Sequence, residues 1–449
     1  MAETFPSLNR HGRVNLNVDI YVDATAGAQP VWSVPQFRGR DHLVFADYGP
    51  NDCMLADLRA AHVIGRFSPS TAQNGKYWKR VVLPILLGVA GPVAGVTALH
   101  CACLHYKGEG LLITGESGAG KSTLAFELTR RGLDFISDDW TYFSPAAAEV
   151  LAWGLPTNIK LLPDSVAHFP ELNRYVPGIH LNGELALEVD PEELGAKRSL
   201  STRPGRIFVL DRKPGLGFEV SRLAAREIFA YFQQSLEKLP ACLMENREAQ
   251  LATIRALSRA ECWHVRCGGT PQEIATRMLQ FCDHVSPRPS VTASPLRLTR
   301  REWPDMLRRF VTLPLVRLFS SGGYSFQVAT DSEQVMRALR RITKPATISS
   351  PPAISWTIQE ERRWPVSLAP ASGLTSGGLS FLTVGQHAFV ACDGHAGRAM
   401  SFIAATNSDR ELEPVLRTML SHLLHESATS TLPISSPPAQ AAQSDVPAS

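Results

Sequence analysis

The sequence has 449 residues, of which 44% are hydrophobic and 19% are charged. These values are typical of soluble globular chains and exclude wholesale disorder and fibrous or low-complexity classes. Lys and Arg total 45 against 42 Asp and Glu, a net charge of +3, which is too small to predict general binding of nucleic acid or an anionic membrane. The length predicts more than one folding unit.

The N-terminus and the cysteines predict a cytoplasmic protein. The first 22 residues, MAETFPSLNRHGRVNLNVDIYV, lack the basic segment and apolar run of a secretory signal. The eight cysteines include no C-x-x-C, so neither a disulfide scaffold nor a zinc ribbon is indicated.

The N-terminal region, residues 1–97, is predicted to be a β-rich module. Short alternating runs such as VNLNVDIYV and HLVFADYG, within residues 13–63, favour antiparallel strands. Residues 81–106 carry no formal charge and are long enough to cross a bilayer. Because this stretch contains several Gly and Pro residues and leads into a nucleotide-binding motif, we favour a buried helix, a turn and a buried strand. We therefore expect no membrane partner.

A phosphate-binding loop is predicted at residues 115–122, GESGAGKS, which match G-x-x-x-x-G-K-[ST]. An apolar strand-like run, LLIT, precedes the loop, and a helical pattern that ends at Gly132 follows it. Glycines let backbone N–H groups turn toward phosphate oxygens, a lysine reaches the β- and γ-phosphates, and a Ser hydroxyl ligates Mg²⁺. The predicted nucleotide-binding residues are Gly115, Glu116, Ser117, Gly118, Ala119, Gly120, Lys121, Ser122 and Thr123.

Two adjacent carboxylates, Asp138 and Asp139, follow an apolar strand-like run. Side chains alternate along a strand, so the two can serve one site only if the strand ends there. A helix cap or a solvated turn is the structural alternative, but the loop about 20 residues upstream favours catalytic or metal-binding roles. Weaker candidates for contacts to phosphate are Asn158 and Lys160, for which a solvated loop is the competing interpretation. Arg203 and Arg206 are also weaker candidates, and for them the competing interpretation is a structural role.

The region after the loop predicts an α/β domain over residues 98–285, because strand-like and helical runs alternate. A Ser- and Pro-rich linker is predicted at 286–295, an α+β region at 296–425 and a disordered tail at 426–449. Residues 387–405 resemble 42–61 in having a strand, an Asp-containing turn and a later apolar helix. This similarity is explained either by a partial repeat of the N-terminal module or by chance.

Residues 100–142 resemble the HPr kinase/phosphorylase family, whose kinase domain is related to phosphoenolpyruvate carboxykinase. Four features match the family's spacing: a histidine 15 residues before the first loop glycine (His100), the loop itself, Glu127-Leu128 followed by Arg131-Gly132, and the aspartate pair. The resemblance implies a P-loop kinase domain of that α/β type, flanked here by the β-rich module and the α+β region.

The same resemblance implies roles for individual residues. Lys121 and Ser122 would hold ATP and Mg²⁺, Asp138 would be the general base on an acceptor hydroxyl, and Asp139 would join Ser122 in the metal shell. His100 would assist proton transfer. The two aspartates could exchange these roles. The resemblance also suggests a homo-oligomer of unstated size.

One departure from the family concerns the acceptor. The signature associated with phosphorylase activity has no match, and ELALEVDPEELGAKRS lies where it would be sought. We therefore expect a kinase acting on a Ser-type hydroxyl of a protein, peptide or small molecule other than HPr. The alternative is a nucleotide-binding regulatory or assembly module without phosphotransfer.

Overall fold

The computed structural model describes residues 16–26, 35–49, 51–146, 149–179, 184–213, 215–284, 307–346, 351–361, 372–384, 388–406 and 408–430. The chain divides into two units, one ending at Val311 and one beginning at Thr312. Unit 1 thus contains both segments predicted as separate domains, 1–97 and 98–285, and the boundary between them stays a prediction. The predicted linker at 286–295 lies outside the described residues.

Unit 1 combines strands and helices throughout its length. Its strands are β1 Asn17–Val22, β2 Gln36–Arg40, β3 Leu43–Gly49, β4 Asp52–Asp57, β5 His62–Phe67, β6 Thr97–His100, β7 Ala102–Tyr106, β8 Glu109–Gly115, β9 Asp134–Ser137, β10 Trp140–Ala146, β11 Glu149–Trp153, β12 Ile159–Leu161, β13 Gly178–Ile179, β14 Leu185–Val189, β15 Ser201–Thr202, β16 Pro204–Arg212, β17 Phe218–Arg222 and β18 Glu261–Cys267. Its helices are α1 Pro69–Gln73, α2 Gly75–Tyr77, α3 Leu83–Ala90, α4 Lys121–Arg130, α5 Ala225–Gln234, α6 Met244–Leu257 and α7 Pro271–His284.

The N-terminal sheet has the strand order β1-β5-β4-β3-β2. Strands β2 to β5 form an antiparallel meander, as their alternating sequence predicts. The antiparallel prediction is wrong for β1, which pairs with β5 in parallel. Alternation tells which face of a strand is buried, but it carries no information about the partner strand or its direction.

A helical run from Gly75 to Ala94, which includes α2 and α3, follows this sheet. It is long and apolar enough to cross a membrane by length and composition alone. Val82, Leu86 and Ala90 recur every four residues and lie in the buried core of the N-terminal sheet. The run is therefore packed as a core helix in unit 1.

The central sheet of unit 1 has the order β17-β18-β16-β8-β7-β9. Its middle is parallel, because β16 pairs with both β8 and β18 in parallel. A hairpin precedes the loop: β7 and β8 are antiparallel and are joined by Lys107 and Gly108, both with positive φ. Helix α4 packs with α7 in the core cluster on one face of this sheet. The fold is mixed α/β, as predicted for this region.

Two smaller sheets complete unit 1, with orders β15-β11-β10-β6 and β12-β14-β13. The first is antiparallel and sets β6 beside β10, with His100 opposite Trp140. This pairing positions the residues described below.

Unit 2 is built on one eight-stranded sheet. Its strands are β19 Leu315–Ser321, β20 Tyr324–Thr330, β21 Lys344–Pro345, β22 Ile354–Glu361, β23 Ser372–Ser376, β24 Leu379–Val384, β25 Ala388–Asp393 and β26 Arg398–Ala404, and its helices are α8 Glu333–Ile342 and α9 Asp409–Ser430. The strand order is β21-β19-β20-β22-β26-β25-β24-β23. Apolar residues of α8 and α9, among them Leu339 and Leu416, lie in one buried cluster with those of the strands.

The start of the predicted tail is wrong, because α9 continues to Ser430 and Glu426 and Ser427 are buried. Thr375 Oγ1 donates to Glu426 Oε1 at 3.0 Å, so the helix keeps a contact with β23 at the expected boundary. The remaining tail, 431–449, lies outside the described residues.

Five strands of each unit share one arrangement. Strands β22-β26-β25-β24-β23 follow the same order as β1-β5-β4-β3-β2. In each set, the last strand of a four-stranded antiparallel meander pairs in parallel with the strand that precedes the meander in the chain. The register also agrees, since Leu43 faces Asp57 and Leu379 faces Asp393. The sequence comparison had matched 387–405 to 42–61, whereas by topology β25 corresponds to β4 and β26 to β5.

The turn after each aspartate supports this correspondence. Asp57 Oδ1 accepts the backbone N–H of Ala60, and Asp393 Oδ1 accepts that of Ala396. The next residue has a left-handed backbone in both units, Ala61 with φ +50° and Gly397 with φ +59°.

Candidate active site

The predicted phosphate loop connects β8 to α4. Buried apolar residues of β8 end at Gly115, and α4 begins at Lys121. Gly118 and Gly120 have φ values of +81° and +85°, a region that side-chain-bearing residues rarely adopt. A Cβ on Gly118 would meet no atom within 4 Å, so the backbone there borders open space. The loop thus has the exposed backbone that phosphate binding requires.

Lys121 is folded onto its own loop. Its side chain is buried, and Nζ donates to the carbonyl oxygens of Gly115 at 3.0 Å and Glu116 at 3.2 Å. Ser122 and Thr123 follow in the first turn of α4 and are half-buried. Glu116 and Ser117 are exposed, and Ala119 is buried.

The aspartate pair forms the turn between two strands, since β9 ends at Ser137 and β10 begins at Trp140. Asp138 and Asp139 line one cavity of about 250 Å³. We call it the acidic cavity; other residues that line it are Arg80, Ile85, Trp140, Asn158, Lys160 and Glu188. The end of the strand at this point lets both carboxylates serve one site.

Buried hydroxyl groups hold this turn. The Oγ atoms of Ser137 and Thr141 are 2.6 Å apart, and Thr141 Oγ1 donates to the Cys101 carbonyl oxygen at 2.7 Å. Burial raises the pKa of the Cys101 thiol to about 12, so this cysteine is a packing residue. Hydrogen bonds therefore connect the turn to the segment that joins β6 to β7.

The two carboxylates have opposite environments. Asp138 is 4% exposed, and its Oδ2 accepts the backbone N–H of Lys160 at 2.7 Å. Burial first, and then the charge of Asp139, raise the pKa of Asp138 from 3.8 to about 7. For Asp139 burial also acts to raise the pKa, but the hydrogen bond and charge of His100, with the charges of Lys160 and Lys121, outweigh it and hold the pKa below 3.8.

His100 lies at the end of β6 and contacts Asp139. Its Nε2 is 2.9 Å from Asp139 Oδ1, and its ring centroid is 5.7 Å from that of Trp140. The pairing of β6 with β10 produces this contact. The histidine thus partners Asp139, while Lys121 is near enough for its charge to lower the Asp139 pKa.

The weaker candidates divide into two groups. Asn158 and Lys160 line the acidic cavity, and Lys160 Nζ also pairs with Glu184 at 2.9 Å. Arg203 and Arg206 form ion pairs with glutamates along the strands, Arg206 with Glu109 and Glu261 and Arg203 with Glu149. These pairs favour the structural interpretation of both arginines.

Sequence reasoning missed Arg80 and Glu188, which pair with each other at the wall of the acidic cavity. Arg80 precedes the apolar part of the helical run, and Glu188 lies on β14. Neither belongs to a motif, so only the fold brings them together.

The donors present suit the groups that the resemblance implies. The loop has open space beside Gly118 and a buried lysine, and both features suit the phosphates of a nucleoside triphosphate. The Ser122 hydroxyl and the Asp139 carboxylate, held ionised, are hard oxygen ligands of the kind Mg²⁺ prefers.

Comparison with known proteins identifies this part of the chain. Residues 92–161 match the family model described as HPr Serine kinase C-terminal domain. This part of the chain is similar to HPr kinases. The chain is 39% identical over 121 residues to an HPr kinase/phosphorylase of Azoarcus sp., which covers 26% of this chain and 36% of that protein. It is 44% identical over 70 residues to the HPr kinase/phosphorylase of Bordetella avium, covering 16% of this chain and 23% of that protein.

The HPr-kinase-like similarity is partial in extent. The chain spans about a third or less of the length of these relatives. A solved structure, the Hpr(Ser) kinase/phosphatase from Coxiella burnetii, aligns with 42% of this chain and 95% of its own at 12% identity and a TM-score of 0.22.

Proposed function

We propose that this protein is an ATP-dependent kinase that transfers the γ-phosphate of ATP to the hydroxyl of a Ser-type acceptor. The observation that carries the proposal is Asp138, a buried carboxyl with a pKa of about 7 in a cavity beside an ionised Asp139. Pairs of carboxyl groups whose environments push their pKa values apart are typical of acid–base sites.

Residues 115–123 would bind the phosphates of ATP, with the loop N–H groups and Lys121 as donors. Ser122 and Asp139 would hold Mg²⁺. When bound, Mg²⁺ would neutralise charge on the β- and γ-phosphates. Lys121 would leave the loop carbonyls that it now contacts and turn toward the phosphates.

Asp138 would accept the proton of the acceptor hydroxyl. A base is most effective when its pKa lies near the working pH, and the pKa of about 7 meets this condition. The hydroxyl oxygen then forms a bond to the γ-phosphorus, the bond from that phosphorus to the β,γ-bridging oxygen breaks, and ADP leaves. The Lys160 amide, hydrogen-bonded to Asp138, fixes the orientation of the carboxyl.

His100 would act as a positioning residue for Asp139. Its hydrogen bond favours the ionised form of that carboxylate and orients one oxygen. The participation of His100 in proton transfer itself stays a prediction.

A nucleotide-binding regulatory or assembly module is the second candidate. Its support is that most of the chain, including the N-terminal sheet and all of unit 2, lies outside residues 92–161. Such a module needs no base, so the environment of Asp138 favours the kinase.

The test is transfer of labelled γ-phosphate from ATP and Mg²⁺ into a host-cell extract, divided into protein, peptide and small-molecule fractions. Asp138→Asn is compared with Asp164→Asn, a control at an exposed carboxylate of the same unit. The kinase predicts label with the wild type and the control but none with Asp138→Asn. If the wild type binds MgATP by calorimetry but labels none of the three fractions, the regulatory module becomes the better hypothesis.

A further inference from the structure

A second, apolar cavity lies beside the acidic cavity in unit 1. Its volume is about 320 Å³, within the range of about 300–1,000 Å³ for ligand-binding pockets. We call it the apolar cavity; residues that form its walls include Phe37, Leu87, Val89, Leu236, Leu239 and Leu307.

The two cavities share walls. Ile85 and Trp140 line both. Trp140 directly follows Asp139 in the chain and is 44% exposed, which is unusual for so large an apolar side chain. One molecule bound at Asp138 can therefore reach the apolar cavity along Trp140.

The composition of the apolar cavity excludes the nucleotide as its occupant. Residues of the phosphate loop are absent from its described lining, which is mostly aliphatic or aromatic and includes one arginine, Arg309. A phosphate or other charged group buried there would lose its hydration without a partner for each oxygen. An apolar group would instead gain about 0.8 kcal/mol for each buried CH₂.

We propose that the acceptor is a polypeptide segment in which a large apolar side chain, such as Leu or Phe, accompanies the phosphorylated hydroxyl residue and occupies the apolar cavity. Ser235, Glu237 and Gln250 add polar atoms to this mostly apolar lining. This inference rests on the proposed kinase function and adds the recognition element that the acidic cavity lacks.

Gly88 offers a direct test, because it lines the apolar cavity in α3 and a Cβ there would meet no atom within 4 Å. Leucine at this position has a better helix propensity than glycine and would take up space in the cavity. Gly75 is the matched control: it is helical and exposed, its Cβ would also meet no atom within 4 Å, and it does not belong to the described lining of either cavity.

The assay uses labelled ATP, Mg²⁺ and Ala-based serine heptapeptides in which one Leu is moved through each position around the serine, beside a host-cell extract. Wild type and Gly75→Leu should phosphorylate at least one Leu peptide tenfold or more above the all-Ala peptide. Gly88→Leu should lose this preference and label the extract's protein fraction at least tenfold less, with MgATP affinity unchanged. If Gly88→Leu fails to fold, Leu239→Ala, which enlarges the cavity, should raise the KM for the peptide without changing the KM for ATP.

The assay distinguishes failure of the apolar subsite from failure of the proposed kinase function. The apolar subsite is overturned, and the kinase function kept, if the wild type transfers phosphate without a preference for Leu or only to small molecules. The same holds if Gly88→Leu does not change the transfer. Absence of transfer to both peptides and extract would overturn both.

Discussion

Replacing Asp138 by asparagine should stabilise the metal-free protein at pH 8 while removing the proposed base. Burial first, and then the charge of Asp139, raise the pKa of Asp138 from 3.8 to about 7. One pKa unit is worth about 1.4 kcal/mol, so the ionised carboxylate costs the folded state up to about 4 kcal/mol at pH 8. Asparagine has the same shape without the charge, and its oxygen can still accept the Lys160 N–H.

The stability difference between the wild type and Asp138→Asn depends on pH. Below about pH 4 the carboxyl is protonated in both the folded and unfolded chain, so wild type and variant should have nearly equal stability. As the pH rises above about 4 the unfolded chain ionises first, and the wild type loses stability relative to Asp138→Asn until the folded carboxyl also ionises near pH 7.

Urea unfolding of both proteins in EDTA at pH 4, 6 and 8, followed by tryptophan fluorescence, measures this difference. Asp164→Asn, at an exposed carboxylate of the same unit, is the control for the substitution itself. A stability difference that is constant with pH, or a loss of stability at pH 8, would refute the assigned burial cost.

Three further substitutions test the site. Lys121→Ala should abolish transfer and weaken MgATP binding at least tenfold by calorimetry, whereas undiminished affinity would remove Lys121 from the phosphate site. His100→Phe should raise the pKa of Asp139 in a carbon-13 NMR titration, because the hydrogen bond that favours its ionised form is lost; an unchanged pKa would contradict this role. Gly118→Ala should lower MgATP affinity about tenfold, since its left-handed backbone costs a side-chain-bearing residue about 1–2 kcal/mol. Gly132→Ala, with φ +91° beyond the loop, should leave that affinity unchanged.

Local sequence was enough to predict the elements around the loop. The apolar run before Gly115 is β8, and the helical pattern after it is α4. Each of these features depends on residues within a few positions of one another. The end of a strand before Asp138 could be inferred for the same reason.

Contacts between distant segments could not be predicted. Arg80 and Glu188 meet across more than a hundred residues of chain, and no motif marks either. Helix α6 was missed because its apolar positions, such as Ile254 and Leu257, are few among charged and alanine residues. The pairing of His100 with Asp139, rather than with Asp138, follows from the register of β6 on β10.

The helices that follow the two meanders are used differently. The meanders themselves share strand order, register and the aspartate turn. In unit 2 the helix after the meander, α9, packs on its own sheet through residues such as Leu416. In unit 1 the helical run in the same position keeps that task with Val82 and Leu86, and presents Arg80 to the acidic cavity. The helical run of unit 1 therefore both packs on its own sheet and lines the acidic cavity.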